Sequence, residues 1–211
     1  MTDLLASEHG HDPDAEFTGK YEAEGRAGRW LVDRFYAAVR RLLLPQVRPG
    51  DLVLEIGCGA GYSSFNLRES LPAAVDFVGS DVGETLLHKA RARNPGTAFV
   101  RQSVYDLALP DRSVDVVVML EVLEHLENPG QALAEVHRVA RKAAVVSTPR
   151  EPLWRALNLL RGKYIRELGN TPGHIQHWSS HGLRREADGL FRVTGVAQPM
   201  PWTVLSLSPR R

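Results

Sequence analysis

The run "VLEIGCGAGY", Val53–Tyr62, constrains the fold of this chain more than any other stretch. An apolar strand passes directly into glycines at 57, 59 and 61. Such a backbone turns at positive φ and lies bare, so that a ligand can rest against the main chain. In an open α/β sheet, ligands sit beyond the carboxyl ends of the strands, which is where this turn falls. Glu55, two positions before the first glycine, puts an ionisable group inside an oily strand, and packing alone does not call for it.

The rest of the chain supplies the sheet. From Gly28 to Leu44, Leu31, Phe35, Val39 and Leu42 recur at helical spacing, and Pro45 closes the segment. A strand is predicted at Leu52–Ile56, then a helix from about Gly61 that buries Phe65 and Leu67. "VDFVGSD", "TAFVRQS" and "KAAVVST" read as further strands, and "ETLLHKARAR" and "GQALAEVHRVAR" as helices. "SVDVVVML" is apolar without alternation, as expected of a strand covered on both faces. Strands alternating with helices imply right-handed crossovers. The end differs: "FRVTGVAQPMPWTVLSLS" holds two strand-like runs with no helix between them. The expected fold is a Rossmann-like, doubly wound α/β domain spanning 1–211. Its seven-stranded sheet is mostly parallel and ends in an antiparallel hairpin. Residues 1–19 are expected to be loosely ordered.

Charge is unevenly placed. Residues 138–211 carry 13 basic against 4 acidic side chains, whereas residues 1–137 carry 13 against 21. A basic third suggests an anionic partner, unless the two parts neutralise each other in the fold. The lone Cys58 excludes an internal disulfide and a Cys-rich zinc site, and reads as a small buried filler. The acidic, polar N-terminus is neither a signal nor a transit peptide, and no apolar run reaches the roughly 18 residues of a membrane span. A cytoplasmic location is the expectation.

A dinucleotide site asks for G-x-G-x-x-G/A, but Tyr62 stands where the third small residue would fall. Four other stretches give the loop its context. Asp81 ends the second strand, 26 residues after Glu55. "SVYDLALPDRSVD" follows the third strand and "MLEVLEHLENP" the fourth. In this order the chain resembles the class I S-adenosylmethionine (SAM)-dependent methyltransferases, especially the small-molecule type that includes ubiquinone-pathway enzymes. The resemblance covers roughly residues 20–149. It implies SAM as cofactor and S-adenosylhomocysteine as product. Gly57, Gly59 and Gly61 would pack against the methionine and ribose, Glu55 would hold the ammonium, and Asp81 would bind the ribose, with Val82 against the adenine. Ser103 and Val104 would lie at the adenine edge, where the family usually has an acid in place of Ser103, with Asp106 or the Val104 backbone as substitute. Leu120 and Glu121 would line the cofactor, and Arg29, or else Arg26, would reach its carboxylate. Tyr21 and Trp30 divide between core and site.

On the acceptor side, His125 is the candidate base for an acceptor that must lose a proton. A second use of the same stretch is a divalent metal site. Glu121, Glu124 and His125 stand at i, i+3 and i+4, with His174, His177 and His181 downstream. Plant-type small-RNA 2′-O-methyltransferases show a similar Glu-x-x-Glu-His followed by a later histidine. Residues 150–182 form a lid or insertion in which Leu153, Leu157, Leu160 and Tyr164 share a helical face among Arg150, Arg155, Arg161, Lys163 and Arg166. Such a segment caps an acceptor pocket or touches an anionic membrane surface. The leading expectation is methyl transfer to a small, amphiphilic or anionic acceptor. The alternatives are RNA methylation and SAM binding without catalysis.

Overall fold

The computed structural model describes residues 25–211; the expectations for residues 1–19 and Tyr21 lie outside the described residues. Helix α1 (Arg26–Leu43) turns Phe35, Tyr36, Val39 and Leu43 inward at three- and four-residue spacing. Then follow β1 (Leu52–Ile56), α2 (Tyr62–Arg68), β2 (Asp76–Asp81), α3 (Glu84–Arg93), β3 (Ala98–Arg101) and β4 (Val114–Leu120). After a single 3₁₀ turn at Leu123–His125 come α4 (Pro129–Val139), β5 (Ala140–Pro149), α5 (Leu153–Leu160), α6 (Ser180–Asp188), β6 (Phe191–Ala197) and β7 (Trp202–Pro209). Asn128 caps α4 by accepting from the Gln131 N–H, with Pro129 in its first turn, and Ser179 caps α6 through the Gly182 N–H.

The sheet order is β3-β2-β1-β4-β5-β7-β6. The first five strands are parallel, and β7 runs antiparallel between β5 and β6. The terminal hairpin is therefore present, and its second strand is the one that docks on β5. Burial explains the choice. β7 is buried along its first six residues, while β6 alternates and turns Arg192 outward at the sheet edge.

β4 is buried at every position and divides between two cores. Val117 and Met119 pack with Leu133 and Val136 of α4 and with Leu205 and Leu207. Val116, Val118 and Leu120 face the opposite side, with Phe35 and Val39 of α1. The two-residue period of a strand thus splits one unbroken apolar run between two faces. Cys58 is buried with Leu87, Ala90 and Phe99, and burial pushes its thiol well above the usual range, as suits a filler.

Two local expectations are corrected. Phe65 is 50% exposed, because the seven-residue α2 turns Ser64 and Leu67 inward instead. In the lid, α5 stops at Leu160, which is 83% exposed, and Gly162 (φ 68°) and Tyr164 (φ 54°) reverse the chain. Its buried positions are Trp154 and Asn158, so the Leu153–Leu160–Tyr164 face does not form. The charge asymmetry is partly neutralised within the fold. Arg138 pairs with Asp111, Arg141 with Asp115, and Lys142 with both Asp51 and Asp115. Arg161, Lys163 and Arg166 stay exposed. Among the described residues no helix is long and apolar enough to cross a membrane.

Candidate functional site

The strand order reverses between β1 and β4, and the loops that leave these two strands meet there. The three glycines of the first loop all stand at positive φ, but for different reasons. A Cβ on Gly57 would come within 2.3 Å of Val122 Cγ2 from the loop after β4. One on Gly61 would meet Asn94 Nδ2 at 2.5 Å and Ala90 Cα at 2.9 Å on α3. Those two glycines are required by the protein's own packing. A Cβ on Gly59, at φ 51°, would meet nothing within 4 Å. Gly59 is therefore the bare point of the loop.

The directions of the amides limit what can lie there. Gly57 N–H and Cys58 N–H both donate to the Ser80 carbonyl, Gly61 N–H to the Cys58 carbonyl, and Gly59 N–H to Asp81 Oδ2 at 2.9 Å. A phosphate cradle needs such amides turned toward the ligand. Here they point into the protein, and Asp81 and Glu55 add negative charge beside them. Asp81 Oδ1 also accepts from Gly83 N–H at 2.9 Å. A carboxylate has about four acceptor sites, so each Asp81 oxygen keeps a lone pair for a ligand hydroxyl. Val82, next in the chain, is 57% exposed and offers an apolar surface beyond it.

Glu55 is buried behind the loop. Its Oε2 accepts from the Ser64 hydroxyl, and its Oε1 has no hydrogen bond, an orphaned oxygen suited to an ammonium group or a water. Burial pushes this carboxyl from 4.5 up to about 7, opposed by serine hydroxyls and reinforced by the Asp81 charge. The folded chain then holds the Glu55 proton more tightly than the unfolded chain. The associated stability is complete below pH 4.5 and is lost as pH rises through about 7. The loss is on the order of 3 kcal/mol. Urea unfolding at pH 5 and pH 8 should show it in the wild type and not in Glu55→Gln. An unchanged slope in the variant would refute the assignment.

The other candidate residues are placed as follows. Val104 is buried and Ser103 half-buried in the loop after β3, where Ser103 Oγ accepts from Tyr105 N–H and its carbonyl from Asp106 N–H. Leu120 is buried at the end of β4. Arg29 is exposed on the first turn of α1, and among the described residues no contact ties it to the glycine loop. Glu121 stands at φ 57°, a left-handed conformation for a non-glycine residue. Its N–H donates to the Ser147 carbonyl, while its carboxylate accepts from Ser147 Oγ at 2.8 Å and from Trp202 Nε1 at 2.7 Å.

The metal-like constellation assembles with a different membership from the one spacing suggested. Glu124, His125 and His174 bring one ligand atom each within 4.8 Å of one another. Glu121 is instead committed to β5 and β7, and His177 Nε2 lies 2.7 Å from Asn170 Oδ1. His125 Nδ1 lies 3.0 Å from the Gly173 carbonyl; that oxygen can only accept, so Nδ1 carries the proton and Nε2 the lone pair. The lid is pinned to the 3₁₀ turn by Ile175 and Gln176 N–H, both donating to the Glu124 carbonyl.

Beside this cluster lies a cleft, open to solvent, between α1, the lid and the start of β7. Leu31, Val32, Trp154, Leu157 and Trp202 give it apolar walls, and Arg161 and Lys163 add cations. Arg155 is not among its lining residues. Sequence reasoning passed over Trp154, Asn158, Thr171 and Trp202. The Trp154 indole and the Asn158 amide both donate to Thr171 Oγ1, and Trp154 stacks on His174 at 6.0 Å. The usable signal was a Trp and an Asn four apart in "LWRALNLL", which put a polar group on the inward face.

Residues 54–147 match the methyltransferase domain family. A probable S-adenosylmethionine-dependent methyltransferase of Mycolicibacterium smegmatis is 40% identical over 102 residues, which cover 47% of this chain and 38% of that protein. A demethylmenaquinone methyltransferase of Beutenbergia cavernae is 31% identical over 120 residues, covering 56% of this chain and 49% of that one. The chain thus spans about two fifths to half of the length of these curated relatives. In fold it is similar to the magnesium protoporphyrin IX methyltransferase of Synechocystis, a structure with bound S-adenosylhomocysteine. The TM-score is 0.68 at 19% identity, over 93% of this chain and 95% of that one. A SAM-dependent methyltransferase from Aquifex aeolicus gives 0.66 at 18% identity, over 95% and 100%. At such identities the likeness speaks for the fold. The family match ends at Ser147, before the lid begins.

Proposed function

We propose that this chain, whose residues 54–147 match the methyltransferase domain family, is a SAM-dependent methyltransferase acting on a small acceptor with an apolar body and an anionic group. The observation that carries the cofactor half is the bare Gly59 between an orphaned, buried Glu55 oxygen and an Asp81 carboxylate with lone pairs to spare. These residues fit an adenosyl group carrying an ammonium: Asp81 toward the ribose hydroxyls, Val82 against the adenine, Glu55 toward the ammonium. When bound, SAM supplies a sulfonium methyl, an electrophile that needs no acid. What remains for the chain is to align the nucleophile and to exclude water. The lid and the cleft beneath it serve both ends, with Trp154 and Trp202 displacing water and Arg161 and Lys163 holding the acceptor's charge. An acceptor already ionised at neutral pH needs no base. For a phenol, His125 Nε2 is the proposed proton acceptor.

The narrow, apolar-walled cleft favours a small acceptor over a nucleic-acid strand. Label transfer from radioactive SAM to fractionated metabolites tests the reading directly. In the double variant Arg161→Glu/Lys163→Glu, the KM for an anionic acceptor should rise about tenfold or more, with a weaker salt dependence. SAM affinity should stay within about twofold. If SAM binding fails in a folded variant, these cations belong to the cofactor site and the division of labour is wrong.

A further inference from the structure

We propose that Glu121 is a positioning residue for the acceptor, acting through Trp202, whose indole it fixes as a wall of the cleft. The inference rests on the acceptor cleft proposed above and adds the group that sets its geometry. Glu121 directly follows β4 and is 8% exposed. A buried carboxylate needs donors, and each of its oxygens has one. Oε1 accepts from the Ser147 hydroxyl of β5 at 2.8 Å, and Oε2 from the Trp202 indole of β7 at 2.7 Å. β5 lies between β4 and β7, with Ser147 paired to Leu120 and Pro149 to Trp202. The side chain therefore ties three strands together at the end of the sheet where the site's loops leave.

The backbone is set for this reach. The left-handed φ of 57° is a strain that persists where the surroundings over-determine the conformation. Here the Glu121 N–H is shared between the Ser147 carbonyl at 3.2 Å and the Ser147 hydroxyl at 3.1 Å. The next residue serves the other half of the site. Val122 fills the space over Gly57 of the cofactor loop, where a Cβ would otherwise stand. Neighbouring residues thus divide the work, with Val122 backing the glycines and Glu121 the cleft.

Trp202 is where a fixed direction matters. Its ring lines the cleft and meets Trp154 at 5.9 Å and Phe35 at 4.9 Å, tilted by 53° and 47°. Such apolar contacts let a ring slide, whereas a hydrogen bond at its one polar atom fixes the ring's orientation. The bond to Glu121 also commits that N–H to the protein. Trp154 is treated alike, since its N–H donates to Thr171 Oγ1 at 2.9 Å. Both indoles therefore offer aromatic carbon to the acceptor's apolar body.

The test uses 2-naphthoate as an anionic, apolar probe, with S-adenosylhomocysteine as the cofactor-side control. By calorimetry, Glu121→Ala should bind 2-naphthoate about tenfold or more weakly, the worth of a hydrogen bond to a carboxylate. S-adenosylhomocysteine affinity should stay within about threefold. Glu121→Gly relieves the left-handed strain and should show the same selective loss. Glu121→Gln keeps an oxygen for the indole and an amide for Ser147 Oγ, so it should return to within about threefold of the wild type. Because Glu121 acts through the ring, adding Glu121→Gly to Trp202→Phe should weaken the probe by no more than about twofold further. The Trp202 indole N–H resonance, identified by its loss in Trp202→Phe, should exchange with solvent about tenfold or more faster in Glu121→Gly. A natively folded Glu121→Gly that binds 2-naphthoate like the wild type would overturn the inference. So would a Glu121→Gln as weak as the alanine variant, or a parallel loss of S-adenosylhomocysteine, the mark of a merely structural role. A wild type that binds S-adenosylhomocysteine but not 2-naphthoate sinks the cleft reading together with this inference. Probe binding that is lost in Arg161→Glu/Lys163→Glu yet indifferent to Glu121 sinks this inference alone.

Discussion

Replacing Asp81 with alanine is expected to weaken SAM binding about 100-fold or more. Hydrogen bonds to a charged acceptor contribute about 1.5–3 kcal/mol each, and the ribose offers two donors to this carboxylate. Its position between Gly59 N–H and Gly83 N–H, each at 2.9 Å, orients it toward the bare loop, so the variant also loses two backbone anchors. A modest fall in Tm is expected alongside. Titration calorimetry with SAM and with NADH, on protein whose circular dichroism is native, separates the two effects. NADH binding tightly with no response to SAM would refute the cofactor assignment.

Alanine at the glycines of the loop should divide function from stability. Gly61→Ala is expected to destabilise the fold by about 2–4 kcal/mol. A left-handed backbone and a Cβ driven against the Ala90 Cα at 2.9 Å have no flexible neighbour to give way. Gly59→Ala should cost only about 1–2 kcal/mol of stability, the strain of its φ of 51° alone. Its methyl group enters the open side of the loop, so SAM affinity should fall at least tenfold. Chemical denaturation paired with calorimetry on both variants reads this out. If Gly59→Ala binds SAM as tightly as the wild type, the ligand does not lie against that glycine.

How far the sequence is legible follows from how local each feature is. The order of strands and helices can be read because each element announces itself within its own span. "LVLEI" is a strand by content, α4 carries its own Asn128 cap, and β4 is too apolar for anything but a doubly covered strand. The cofactor half of the site shares this property. Glu55, the glycines and Asp81 lie at or just past the carboxyl ends of adjacent parallel strands, and right-handed crossovers bring those ends together once the elements are known.

The acceptor half is not of this kind. Glu121 and Glu124 stand three apart, yet one is held by Ser147 and Trp202 and the other lies beside His125 and His174. The positive φ of Glu121 and the 3₁₀ turn after it rotate the two carboxylates away from the common face that helical spacing implied. Likewise His174 and His177, equivalent by composition, part company because Asn170 takes the second. The sequence by itself determined the sheet, its two cores and the cofactor loop, because strand period and turn chemistry act over a few residues. Only the tertiary structure decided the order of β6 and β7, the membership of the histidine cluster and the walls of the cleft. Those depend on contacts between segments tens of residues apart, where burial and competing hydrogen-bond partners select one neighbour among several alike.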